Sequence, residues 1–141
     1  MKRMIFFFSL FLISTVGIGS TQSLFFQKHS LVFLFASTCP YCHDEAPILA
    51  DWAANHQAKV LAFSFDDRSL PEFPNASPVT KDLVDVAFSG QPIHYPALFV
   101  MENETNTLYP VAFGALNQNE LNDRMMILLP KIQQFEQKAL L

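Results

Sequence analysis

Leu31 to Ala36 is an unbroken apolar run with no alternation, the pattern of a strand covered on both faces inside a parallel α/β sheet. After Ser37-Thr38 the pattern changes period. Ile48, Leu49 and Trp52 recur at helical spacing, which predicts a helix from Pro40 or Tyr41 to about His56 with this stripe against the sheet. Pro40 suits a first-turn position because no backbone N–H is needed there. Pro47, inside the span, predicts a kink, and Asn55 is a candidate C-terminal cap. Val60 to Phe65 reads as a second strand ended by Asp66-Asp67, and the proline-rich stretch from Arg68 to Pro78 reads as a loop. Thr80 can cap a short helix from Lys81 to Phe88, with Leu83, Val84 and Phe88 inward. Ile93 to Val100 and Leu108 to Phe113 are strands three and four, joined by a short polar turn and so expected to pair antiparallel. Asn117 with Glu120 forms a capping box opening a last helix. Its inner stripe is Leu121, Met125, Leu128 and Leu129, and Pro130 is expected to kink or end it. The fold class predicted is α/β, a central mixed sheet of about four strands with helices on both faces.

The N-terminus has a pattern of its own. Lys2 and Arg3 precede an uncharged apolar stretch from Met4 to Ile18, and small residues follow around Gly19 and Ser20. This reads as a signal peptide over residues 1–23, cleaved near 19–23, followed by a single domain over 24–141. The alternative is an uncleaved segment giving membrane association, although the run is short of the ~20 residues that span a bilayer. Export would place the domain in an oxidising compartment.

Composition narrows the function. Half of the 141 residues are apolar and 15 are Phe, enough for one packed core. The net charge is −4, or about −6 without Lys2 and Arg3, which argues against nucleic acid as a partner. There are two cysteines, Cys39 and Cys42, and no His-x3–5-His pair, too few ligands for a structural zinc site; no metal and no cofactor is expected. A purely structural disulfide would close a very short loop, with little entropic gain. A Cys-x-x-Cys between a strand and a helix is instead the context of redox chemistry. The first thiol is expected to face solvent at the positive end of the helix dipole, where a thiolate is favoured. Cys39 is thus the candidate attacking sulfur and Cys42 the resolving one, able to close a redox-active disulfide. Pro40 and His43 are placed to tune the Cys39 thiol, Asp44 and Glu45 to oppose it, and Tyr41 to offer a contact surface.

Strand, CPYC, helix, strand, helix, Tyr-Pro strand, hairpin strand and helix together resemble the thioredoxin fold. Pro47, five residues after Cys42, matches that family's helix proline, and Tyr95-Pro96 matches its cis-proline loop. The resemblance implies that Tyr95 and Pro96 line the substrate site, where a bound peptide pairs with the Tyr95 backbone. More narrowly, LVFLFASTCPYCHDEAP (Leu31–Pro47), AFSFDD (Ala62–Asp67), LPEFPN (Leu70–Asn75) with PVT (Pro78–Thr80), and YPALFV (Tyr95–Val100) resemble the TrbB family of thiol–disulfide isomerases from type-F conjugative transfer systems. That implies a periplasmic enzyme acting on exported proteins with disulfides during pilus or type IV secretion assembly, served by a redox partner protein. With no room for a dimerisation domain, a monomer is expected. Phe33 and Thr38 stand where thioredoxin has a buried Asp and a Trp, so the expectation is a site without a buried carboxylate, less suited to general reduction. The competing classes are a thioredoxin-fold binding or chaperone module with a structural disulfide, and a membrane-tethered reductase for cytochrome maturation.

Overall fold

The computed structural model describes residues 24–141; the expected signal peptide lies outside them. Five strands and three helices follow in the order β1 (His29–Phe35), α1 (Pro40–Asn55), β2 (Val60–Ser64), β3 (Ser77–Pro78), α2 (Lys81–Phe88), β4 (Ala97–Glu102), β5 (Leu108–Phe113) and α3 (Gln118–Ala139). The sheet order is β3-β2-β1-β4-β5. β1 runs parallel to β2 and antiparallel to β4, and β4 pairs antiparallel with β5.

The apolar run earns its central place. All seven residues of β1 are buried, and their alternation divides the core. Leu31, Phe33 and Phe35 point to one face, packed with Leu49 and Trp52 of α1 and Leu121, Met125 and Leu129 of α3. Val32 and Leu34 point to the other, packed with Phe88 of α2 and Ala97 and Phe99 of β4. Helices therefore cover both faces, as expected of an unalternating strand.

Several boundaries move. The sheet has a fifth strand: Ser77–Pro78, two residues long, pairs with Phe63 and Ser64 at the edge of the expected loop. It is too short to leave a periodic signal. β4 begins at Ala97, so Ile93 to Tyr95 approach the sheet without joining it. His56, not Asn55, caps α1. α3 continues past Pro130 to Ala139. Pro130 lies on the exposed side, so the carbonyl its missing N–H leaves free is open to water, while Ile132 extends the buried stripe. Thr80 and the Asn117–Glu120 capping box cap their helices as expected.

At the end of the sheet away from the cysteines, His29 is buried and stacked on Phe25 at 3.8 Å. Its Nδ1 donates to the Phe25 carbonyl at 2.9 Å, and its Nε2 lies 3.0 Å from Glu136 Oε1. The Tyr109 hydroxyl donates to the same oxygen at 3.1 Å. Glu136 thus ties α3 to β1 and β5. Glu136→Ala leaves the His29 nitrogen unpaired, and urea denaturation is expected to show a loss of about 1–3 kcal/mol. Glu136→Gln, which keeps an acceptor, loses less.

Candidate active site

The site is built where β1 hands over to α1. Ala36 to Cys39 make a turn closed by the Cys39 N–H donating to the Ala36 carbonyl at 3.1 Å. Cys39 is the N-cap of α1, with extended backbone (φ −85°, ψ 115°). Its Sγ takes the place of a capping oxygen and accepts the Cys42 N–H at 3.2 Å. The Cys42 and His43 amides also reach the Cys39 carbonyl, at 3.1 and 3.3 Å. A sulfur on the unpaired amides of a helix start is where negative charge on sulfur is best accommodated. Both cysteines are free thiols.

Cys39 is less open than expected. It keeps 8% of its surface, and Cys42 is fully enclosed. The residues between them face out: Pro40 is exposed and Tyr41 is 67% exposed. Across from the sulfurs, Tyr95-Pro96 is a cis peptide. The Cys39 thiol points to the Tyr95 carbonyl at 4.0 Å. Tyr95 stays 45% exposed, and Pro96 is buried beside it. Pro96 is held from behind by the Gly114 N–H, which donates to its carbonyl at 2.7 Å. Gly114 has φ +105°, a conformation side chains disfavour. The residues singled out in the sequence, Cys39, Pro40, Tyr41, Cys42, Tyr95 and Pro96, thus gather where β1 ends and β4 begins, at one end of the central strands. His43 is exposed, and its Nε2 donates to the Ser37 carbonyl at 2.7 Å.

The two thiols differ in kind. Burial pushes the Cys42 thiol up to about 12, helped by its hydrogen bond with Cys39 and by the nearby Glu45 charge, with the Ala36 backbone pulling the other way. Cys42 therefore stays protonated unless a base takes its proton.

One expectation is corrected. A buried carboxylate does exist, supplied by α1 and not by the strand. Glu45 is 1% exposed, and neither carboxylate oxygen has a hydrogen-bond partner among the described residues. Burial pushes it up to about 8, offset only in part by the nearby Leu116 backbone, which makes no well-formed hydrogen bond to it. The signal was present in the spacing. Cys42, Glu45, Ala46, Leu49, Trp52 and Ala53 are the buried stripe of α1, so a Glu sits where helical periodicity calls for an apolar residue. Asp66, expected only to end β2, does more. Its carboxylate accepts the Ser37 N–H at 3.0 Å, the Ser37 hydroxyl at 2.7 Å and the Ser64 hydroxyl at 2.7 Å. Among the described residues no group of three or more His, Cys, Asp and Glu is placed to hold a metal, and no helix is long and apolar enough to cross a membrane.

A mixed sheet with parallel β1 and β2, antiparallel β4 and β5, a CPYC at the start of α1 and a Tyr-Pro before β4 is the thioredoxin fold. A thiol:disulfide interchange protein of the thioredoxin family from Chlorobium tepidum TLS has the same fold, with a TM-score of 0.55 over 77% of this chain and 84% of that one at 17% identity. A thiol:disulfide interchange protein from Bacteroides sp. is similar, with a TM-score of 0.51 over 75% and 76% at 19% identity. The chain belongs to the TraF family, F plasmid transfer operon protein, whose model matches residues 23–126. It is also similar to the protein TrbB of Escherichia coli (strain K12), 29% identical over 85 residues. That match covers 60% of this chain and 47% of TrbB, so the chain spans about half the length of this curated relative.

Proposed function

We propose that this protein is a thiol–disulfide oxidoreductase and isomerase of exported proteins, working in the periplasm on disulfide-bearing components of a conjugative transfer apparatus. One observation carries the chemistry: two inequivalent thiols share a helix start, Cys39 with its sulfur on the Cys42 amide at 3.2 Å and Cys42 buried with its thiol pushed up to about 12. The TraF-family membership and the likeness to TrbB support the setting. The leader-like residues 1–23 support export.

Cys39 thiolate attacks one sulfur of a client disulfide. The client S–S bond breaks, a mixed disulfide with Cys39 forms, and the other client sulfur leaves as a thiolate that takes up a proton. In isomerisation that client thiolate attacks a different client disulfide, and the client thiolate so freed attacks the client sulfur of the mixed disulfide; a new client disulfide forms, the Cys39–client bond breaks and Cys39 leaves as the thiolate it began as. In net reduction Glu45 takes the Cys42 proton, and Cys42 attacks Cys39. The mixed disulfide breaks, the Cys39–Cys42 bond forms, and the client leaves as a dithiol. The protein is then oxidised by two electrons, and a redox partner protein restores it. Tyr95 and Pro96 border the attacking sulfur and Tyr41 flanks it, the surface a client strand meets.

The test is trapping. Cys42→Ala is expected to accumulate mixed disulfides through Cys39 with periplasmic clients, visible as reductant-sensitive bands, and to lose insulin reduction. Cys39→Ala is expected to trap nothing. Equal absence of adducts in both variants, with a wild-type potential well below ~−300 mV, would mean that the cysteine pair is structural.

A further inference from the structure

The AFSFDD strand end has no part in the chemistry above, yet it reaches the active-site turn. Every polar group of Ser37 is taken. Its N–H is shared between Asp66 Oδ1 and Oδ2 at 3.1 and 3.0 Å, and its hydroxyl donates to Oδ2 at 2.7 Å. Its carbonyl accepts the His43 Nε2–H at 2.7 Å. Asp66 is fixed in turn, because the Ser64 hydroxyl donates to Oδ1 at 2.7 Å, and the Ser64 oxygen accepts the Asp66 and Arg68 amides at 3.3 and 3.1 Å. The end of β2, the turn from Ala36 to Cys39 and the first turns of α1 are thereby one hydrogen-bonded unit, with Cys39 inside it. These bonds hold the Asp66 carboxyl well below the usual carboxylate range, those from Ser37 first and from Ser64 next. The bonds it accepts from the Ser37 N–H and from the Ser37 and Ser64 hydroxyls are thus charge-assisted.

We propose that Asp66 is a positioning residue for the attacking thiol: by clamping Ser37 it holds Cys39 at the N-cap with its sulfur on the Cys42 amide. The proposal rests on the reading of Cys39 as the attacking sulfur. Without the clamp the turn samples arrangements in which that amide no longer faces the sulfur, and a thiolate loses a charge-assisted donor for part of the time. The sign of the effect is diagnostic. A carboxylate acting only through its charge disfavours a nearby thiolate, so its removal would make Cys39 more reactive. A clamp predicts the reverse.

The experiment is the rate of iodoacetamide capture of Cys39 in the reduced protein as a function of pH, in wild type, Asp66→Asn, Ser37→Ala and Asp67→Asn. Asp67 neighbours Asp66 and is exposed, so its variant removes the same charge without the clamp. Asp66→Asn is expected to slow capture at pH 7 by about three- to tenfold, the equivalent of one partly lost hydrogen bond, and to move the profile to higher pH. Ser37→Ala is expected to move it the same way by less, and Asp67→Asn to leave it in place or move it down. If Asp66→Asn does not fold, judged by circular dichroism, the Ser37→Ala shift decides alone. An Asp66→Asn profile that coincides with wild type, or that moves down with Asp67→Asn, overturns the proposal, even if the melting temperature falls. The capture assay needs no turnover. A wild type that exchanges no disulfides therefore sinks the proposed function, whereas an active wild type with an unmoved Asp66→Asn profile sinks only this inference.

Discussion

Glu45→Gln is expected to slow the resolution of mixed disulfides by about a hundredfold while leaving their formation through Cys39 nearly unchanged. A thiol held at about 12 is ionised to roughly one part in 10⁵ at pH 7, so Cys42 cannot attack without a proton acceptor. Glu45, held at about 8, is the buried group that can serve, and general acid–base catalysis is typically worth 10²–10⁴. Because the acceptor must be ionised, the wild-type rate should rise up to about pH 8 and then level. The Gln variant should lack that step. Stopped-flow decay of a preformed Cys39 adduct with a fluorescent peptide measures both. An unchanged rate and profile in Glu45→Gln would remove Glu45 from the mechanism.

The same group makes an independent statement about stability. The Glu45 carboxyl is raised from 4.5 to about 8 by burial, so the folded protein keeps a proton that the unfolded chain releases above about 4.5. Between those values the folded state binds more protons, and its stability must fall as pH rises. The full stability is present below 4.5, and what is lost by pH 8 is of order 4–5 kcal/mol. Glu45→Gln carries no such charge. Its stability should stay nearly flat across this window and exceed that of wild type at pH 8, in urea titrations run at pH 5 and pH 8. An acid kept without a partner in the core at this cost fits the role proposed for Glu45, since strained and destabilising groups are commonly retained where function needs them.

Much of this architecture was legible because apolar period and cap chemistry act locally. The unalternating run Leu31–Ala36 marked the central strand, and the Asn117–Glu120 pair marked the start of α3. The spacing of Cys39 and Cys42 between strand and helix marked the handover point. What escaped has a common cause. β3 is two residues long, and its pairing with Phe63 and Ser64 is fixed by a distant strand. Whether Pro130 kinks, ends or merely interrupts the bonding of the helix depends on which way the helix faces, which only packing decides. Glu45 was read by its charge and not by its phase in the helix. Asp66 has Ser64 two residues away, but its partner Ser37 comes within reach only when β1 and β2 pair. Sequence spacing reports neighbours along the chain, whereas the groups around the thiols act mostly across it.

Phe33 is the position where the largest loss of stability is expected. It is fully buried in the middle of β1, paired with Ala62 on one side and Leu98 on the other. Its ring lies 5.6 Å from Phe35 and 5.5 Å from Phe73. Phe33→Ala removes those contacts and leaves a cavity that a central strand cannot collapse to fill, a change that typically costs 3–5 kcal/mol. The melting temperature should fall by roughly 10 °C or more. Phe73 belongs to the loop between β2 and β3, so part of the cost should be shared. A double-mutant cycle of Phe33→Ala with Phe73→Ala is expected to show a coupling of about 0.5–1.5 kcal/mol. By contrast Ile127→Ala, on the outer face of α3 where the side chain is 59% exposed, should stay within about 0.5 kcal/mol of wild type. The face of β1 that carries Phe33 also packs Cys42, Ala46 and Leu49, so the ring supports the helix from which Glu45 and both thiols are presented. If Phe33→Ala costs less than about 1 kcal/mol in urea, the strand is not the rigid base that the placement of Cys39 against Tyr95 requires.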